Sequence, residues 1–373
     1  MTRFPRSDYG ALDLYRPDRR PVPVDLSDNT NRWGAHPDAL AAVRSADEGT
    51  LTRYPDAYAR DLHAAIQRRF GVPADTITTG CGSDDILDST FRAAGPAGGA
   101  VHFAGPTFSM VEVLARMNGR TAVEVPWSRA LADPDKLLEN DPDVVYVCRP
   151  NNPTGLQAPR AWLDSLLGAA GSTGPLIVLD EAYADFAGES LVRQAPAHPR
   201  LLVVRTLSKA YGLAGCRVGF AVGSPEVARE VEKSRGPYKV SQIAARAAVA
   251  ALNDADGWVP RTTSECVTNR ERLSQALHER GLTPLPSCAN FVFLPVAKGS
   301  AHAWNLALRD RGVAVRPFSD LCEAGDGLRI SMAPWPMLER FLGALDQVIE
   351  KGIEQGAMLT GARSDPQTAG SAG

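Results

Sequence analysis

The sequence predicts an α/β protein: a large domain built on a mainly parallel, doubly wound sheet, followed by a smaller α+β domain. Three observations carry this. Short apolar runs recur along the first two thirds of the chain, separated by stretches with helical spacing of apolar residues; that alternation marks βαβ units. The runs are apolar at consecutive positions, as in strands covered on both faces. The chain has 373 residues, too many for one simple core.

The elements follow in order. Residues 1–35, rich in Pro, Arg and Asp, read as an extended arm. The large domain is expected over 36–245. The run 76–79 reads as its first strand. Buried parallel strands are expected at 100–104, 144–148, 176–179, 201–204 and 218–222. Helices are expected at 57–70, 84–94, 109–117 and 160–169. A long helical pattern, 241–252 and then 259–280, leads into a small domain over 246–355. That domain should hold strands at 290–294, 313–316 and 328–332, a helix over 302–311 and a closing helix over 336–352. The polar tail 356–373 reads as disordered.

Composition narrows the function. A net charge of −3 gives no broad attraction to nucleic acid or a membrane surface. The N-terminus lacks the apolar core of a signal peptide, and no apolar run approaches the roughly 20 residues that span a bilayer. Six scattered cysteines without a C-x-x-C pair read as reduced thiols of a cytoplasmic protein. The dispersed histidines suggest no metal site. No G-x-G-x-x-G opens the first βα unit, which disfavours a nicotinamide dehydrogenase.

In an open parallel sheet, ligands bind beyond the carboxyl ends of the strands. Three polar clusters lie there: Arg149-Pro150-Asn151-Asn152-Pro153-Thr154-Gly155, Asp180-Glu181-Ala182-Tyr183, and Arg205-Thr206-Leu207-Ser208-Lys209. Their types suit pyridoxal phosphate (PLP), which needs a lysine for a Schiff base and a carboxylate at its ring nitrogen. Lys209 is the candidate lysine and Asp180 the carboxylate, which is costly at the end of a buried strand unless paired. Asn152 and Tyr183 would donate to the phenolate oxygen. The glycine-rich start of a helix at Gly82, Ser83 and Asp84 offers N–H groups to a phosphate. Ser208 and Arg217 would join them, and Phe108 could cover the ring face. Taken singly, each has a plainer reading: a loop lysine, a helix cap, an ordinary turn, a core phenylalanine. Their shared position at strand ends and helix starts of one sheet favours the cofactor.

The segment Thr206-Leu207-Ser208-Lys209-Ala210-Tyr211-Gly212-Leu213-Ala214-Gly215-Cys216-Arg217 resembles the lysine segment of class I/II aminotransferases, which are fold-type I PLP enzymes. It is most similar to that of histidinol-phosphate aminotransferases. Asn-Asn-Pro-Thr-Gly, Asp-Glu-Ala-Tyr, Pro-Thr-Phe-Ser-Met and Gly-Ser-Asp-Asp follow in family order, and the resemblance extends to about residue 350. It implies transfer of an amino group between an amino donor and an oxo-acid acceptor. It also implies a homodimer with shared active sites, in which Tyr54 reaches the neighbouring subunit's PLP phosphate. Arg329 would grip the anionic group of the substrate, and Tyr15 of the arm would line the same pocket.

The chain departs from the family around that pocket. The arm reads Asn29-Thr30-Asn31-Arg32-Trp33-Gly34 where Asn-Glu-Asn-Pro is usual. After Arg329 comes Ile330-Ser331-Met332-Ala333, without the Gly-Thr-Arg of relatives that recognise histidinol phosphate. Pro237-Tyr238-Lys239-Val240-Ser241 replaces Pro-Phe-Asn-Val-Ser. A substrate other than histidinol phosphate is therefore expected, with Asn31, Arg32 and Lys239 as candidates for contacting it. The fold does not fix the reaction. A decarboxylase, lyase or oxidase on the same fold remains an alternative, as does a non-catalytic PLP-binding protein.

Overall fold

The computed structural model describes residues 20–354 and, ahead of them, residues 4, 6, 9, 10, 12–14, 16 and 18. The expected disordered tail and Tyr15 lie outside the described residues. A short strand β1 (Val24–Asp25) precedes the main sheet, which is laid down as β2 (Ile77–Gly80), β3 (Ala100–Gly105), β4 (Thr121–Pro126), β5 (Val144–Cys148), β6 (Leu176–Asp180), β7 (Leu201–Thr206) and β8 (Gly219–Gly223). Their spatial order is β2-β8-β7-β6-β5-β3-β4.

The consecutive apolar residues of β5 show why the sheet is covered on both sides. Val145 and Val147 belong to one buried cluster, while Val144, Tyr146 and Cys148 belong to another. Successive side chains of a strand point to opposite faces, so a run with no polar alternation needs a core above and below. Helices such as Gly82–Ala93, Arg160–Ala170 and Pro225–Arg235 supply those layers. The last is started by Ser224, whose side chain accepts from the Val227 N–H.

Two features of this sheet differ from expectation. The run near 218–222 is not parallel: β8 pairs antiparallel with both β7 and β2. The reason lies in its connection. Segment 207–218 holds only a short turn of 3₁₀ helix and no crossover helix, and a strand joined without a crossover returns antiparallel. The edge strand β4 was not anticipated. It is mostly half-exposed and carries Glu124 among its valines, so it lacks the apolar run that marks the central strands.

The second sheet is antiparallel, formed by β9 (Phe291–Pro295), β11 (Arg316–Leu321) and β12 (Gly325–Ser331) in the order β11-β12-β9. The expected strand 313–316 divides in two. Its first half, β10 (Val313–Ala314), pairs in parallel with β1, and β11 begins at Arg316. Between them the Val315 N–H donates to Oδ1 of Asn305, so the backbone leaves one sheet and enters the other. The arm is thereby stitched to this part of the molecule. Ser331 N–H donates to the Leu26 carbonyl at 2.9 Å, and Asn29 N–H donates to Ser331 Oγ at 2.8 Å. Among the described residues, no helix is long and apolar enough to cross a membrane.

Candidate active site

β5, β6 and β7 run parallel and end side by side at Cys148, Asp180 and Thr206, and a cavity opens beyond them. It is lined by Asn152, Asp180 and Tyr183 from the ends of β5 and β6 and by Ser208, Lys209 and Arg217 from the segment after β7. Ser83, Asp84 and Phe108 close it from the first turn of helix Gly82–Ala93 and from the loop after β3. Nine of the residues anticipated at the cofactor thus meet in one place.

Asp180 is buried. Its Oδ2 accepts from the Tyr146 hydroxyl at 2.8 Å and its Oδ1 from the Ala182 N–H at 2.9 Å. Burial pushes the carboxyl up to about 6, while these two donors pull the other way. No cation pairs with it among the described residues. Lys209 is partly buried, and its Nζ donates to the Asp28 carbonyl at 3.3 Å. Desolvation pushes this amine down to about 8, and the nearby Arg329 cation adds to the effect. Its neutral fraction near neutral pH is therefore far larger than that of an ordinary lysine, as suits a nucleophile or proton acceptor.

Asn152 and Tyr183 have their acceptor sides occupied. Asn152 Oδ1 accepts from Nη1 of Arg329 at 2.5 Å, which leaves its amide nitrogen as the donor. The Tyr183 oxygen accepts from Nδ2 of Asn29 at 3.1 Å, which leaves its O–H to donate. Burial pushes the Tyr183 hydroxyl up, so it stays protonated. At the other end of the cavity, Arg217 lies 3.2 Å from Asp84 and donates to Ser208 Oγ at 3.4 Å. Gly82, with φ +82°, starts the helix beneath it; a Cβ there would stand 2.4 Å from Arg217 Nη2. Arginine, hydroxyl and helix N–H groups of this kind suit an anion, for which Arg217 would have to leave the Asp84 carboxylate.

Arg329 is buried between the Phe291 and Phe318 rings, each 5.5 Å from its guanidinium carbon. Its Nη2 donates to the Ser27 carbonyl at 2.8 Å. The other anticipated residues stand elsewhere. Asn31 spends Nδ2 on the Ala210 carbonyl at 3.0 Å and Oδ1 on the Trp33 N–H at 2.9 Å, bracing the lysine loop from outside the cavity. Arg32 does not line the cavity. Lys239 is exposed and tied to Asp85 at 2.9 Å. Tyr54 is 84% exposed and packs on Tyr238 with 5.1 Å between ring centres.

Several residues went unnoticed in the sequence. Tyr146 was hidden inside an apolar run. A buried tyrosine hydroxyl needs a partner, and that was the available signal. Asn29 and Ser27 act through the arm's docking, which no local pattern announces. Arg316 is the strand partner directly opposite Arg329, a pairing that only the β11–β12 register reveals.

The sequence pattern of the aminotransferase class I and II family matches residues 21–345. The chain belongs to that family. Histidinol-phosphate aminotransferase 2 of Gluconobacter oxydans is 34% identical over 355 residues, spanning 94% of this chain and 99% of its own. An aromatic amino acid aminotransferase of Streptomyces avermitilis is 35% identical over 340 residues, spanning 88% and 92%. The crystal structure of histidinol-phosphate aminotransferase from Sinorhizobium meliloti in complex with pyridoxal-5'-phosphate superposes with a TM-score of 0.83 at 28% identity, covering 94% of this chain and 98% of that one. The protein is a PLP-dependent aminotransferase of the α/β, fold-type I class, acting on amino and oxo-acid substrates. Its cavity fits the cofactor: a buried carboxylate that forms no ion pair among the described residues, an arginine and a hydroxyl at a helix start, and an amine of lowered basicity line one space.

Proposed function

We propose that the aminotransferase moves an amino group from an amino acid or amine other than histidinol phosphate to a 2-oxo acid, with the substrate's anionic group seated on Arg329. The observation that carries this is the Arg329–Asn152 hydrogen bond, which places an oriented guanidinium beside the cofactor donors. A guanidinium fork receives a carboxylate through two parallel hydrogen bonds. After Arg329, Met332 and Ala333 are fully buried and add no cation.

PLP, when bound, supplies a carbonyl carbon for amines and a ring that accepts electrons. Lys209 would hold it covalently and, once displaced by the substrate amine, move the proton at the substrate α-carbon. Asp180 would keep the ring nitrogen protonated, and Asn152 and Tyr183 would donate to the phenolate oxygen. Ser208, Arg217 and the N–H groups at Gly82, Ser83 and Asp84 would bind the phosphate, with Phe108 over the ring.

The working unit in this reading is a homodimer. Tyr54 and Tyr238, both exposed, pack on each other, and a groove of about 520 Å³ lies between helices Pro37–Arg44, Arg60–Phe70 and Gln242–Asn253. An exposed aromatic pair of this kind suits a protein contact. Tyr54 would reach the partner's phosphate site from it.

Incubating the PLP-loaded protein with a panel of amino donors and 2-oxo acids, with mass analysis of products, tests the substrate assignment. An α-amino acid should be turned over with a higher kcat/KM than histidinol phosphate. Histidinol phosphate as the best donor would contradict the proposal.

A further inference from the structure

We propose that Tyr146 is a positioning residue for transamination, which acts from behind the cavity by holding Asp180 charged and aimed at the cofactor ring. This rests on Asp180 being the partner of the ring nitrogen.

Tyr146 lies in the middle of β5 and is wholly buried. It points to the same face as Cys148, whose register partner across the sheet is Asp180. Asp180 lines the cavity and Tyr146 does not, so the phenol reaches the carboxylate from the core side. Packing against neighbours such as Phe91 and Val178 would be served equally by phenylalanine. The hydroxyl, buried at a cost unless bonded, donates to Asp180 Oδ2 at 2.8 Å, with the Cys148 thiol beside it.

The surroundings make that contact matter. The titratable groups facing Asp180 are Tyr146 and Cys148 from β5, Asp84 from helix Gly82–Ala93, Glu181 next in sequence, Tyr183 after it, and Lys209 from the segment after β7. The acids among them disfavour a charged Asp180. Tyr146 is the one side-chain hydroxyl bonded to Asp180 among the described residues. Its own ionisation is pushed well up by burial and by Asp180, so it remains a proton donor. With the Ala182 N–H on Oδ1, each carboxylate oxygen has one fixed donor, and the plane of the carboxylate is set.

The test uses Tyr146→Phe, Asp180→Asn and the double variant in the full chain. The first readout is the PLP dissociation constant, titrated by the visible band of the bound cofactor. The second is the pH midpoint of that band. Tyr146→Phe should weaken PLP binding roughly tenfold or more, as loss of a hydrogen bond to a charged group does, and should shift the midpoint. In the Asp180→Asn background the same change should add nothing. A third readout needs no cofactor: the apoprotein infrared carboxylate band that is missing in Asp180→Asn should titrate at higher pH in Tyr146→Phe. An unchanged dissociation constant, midpoint and carboxylate titration in Tyr146→Phe would overturn the role. So would an effect of equal size in both backgrounds, which marks a packing defect. If Asp180→Asn alone leaves affinity and band unchanged, the assignment of Asp180 itself fails, a result distinct from a silent Tyr146→Phe.

Discussion

Asp180 is a buried carboxylate of the site, and it contributes to the apoprotein's stability in a direction opposite to that of an ordinary paired carboxylate. Its folded-state value of about 6 lies above the ordinary 3.8. Between those values the folded chain holds a proton that the unfolded chain has released. The stabilisation present below pH 3.8 is therefore lost as pH rises to about 6. The size is about 3 kcal/mol at 1.36 kcal/mol per pH unit. Other carboxylates and histidines act in the opposite direction, so the contribution is read as a difference: denaturant titration of the apoprotein at pH 4 and pH 7 should show wild type losing stability relative to Asp180→Asn. Arg329 shows the complementary case of a cation whose geometry matters as much as its charge. Arg329→Lys keeps the charge but loses the fork that spans Asn152 and Ser27. It should lower kcat/KM for carboxylate-bearing donors about a hundredfold, for a loss of roughly 3 kcal/mol. A steady-state comparison that found wild-type efficiency would remove Arg329 from the substrate site.

At the scale of elements, the site is a meeting of strand ends. β5 supplies the loop that carries Asn152, β6 ends on Asp180, and the return from β7 to β8 carries Lys209 and Arg217. The strands of that core were readable because burial on both faces leaves an unbroken apolar run. β4 was not, since an edge strand carries polar residues. The reversal of β8 was equally hidden, because run composition says nothing of direction; only the missing crossover helix could have signalled it. The cofactor residues were visible as motifs, whereas Tyr146 was masked by its own strand. The docking of Asn29 and Asn31 depends on the β1–β10 pairing, far from either residue's local pattern. The close approach of β8 to the helix start has a testable consequence. A Cβ at Gly219 would lie 2.6 Å from the Gly82 carbonyl carbon and the Ser83 nitrogen, and one at Gly82 would meet Arg217. Gly82→Ala also places an L-residue at φ +82°, with strain of about 1–3 kcal/mol. PLP affinity should fall by at least tenfold in Gly82→Ala, measured by cofactor titration, while the far-UV signature of the fold persists.

For the whole molecule, the main expectation is assembly. Leu51 is 71% exposed and Tyr54 84%, so both are open to contact with a second copy. If the proposed homodimer forms through this face, Leu51→Glu should shift it towards monomer in sedimentation at micromolar concentration and reduce PLP retention with it. Tyr54→Phe should leave the dimer intact and weaken PLP binding alone, by about 1–2 kcal/mol. The arm belongs to the same picture. It runs from β1, which pairs with β10, to Asn29 at Tyr183 and Asn31 at the lysine loop, so it links the β1–β10 pair to the cavity.

The most direct measurement of the central claim is chemical trapping. The PLP-loaded protein is reduced with borohydride, digested, and its peptides are sequenced by mass spectrometry. The cofactor should be found on Lys209, and Lys209→Ala should show neither the trapped adduct nor the visible band nor amino transfer. A label on another lysine, such as Lys233 or Lys239, or undiminished turnover by Lys209→Ala, would contradict the account.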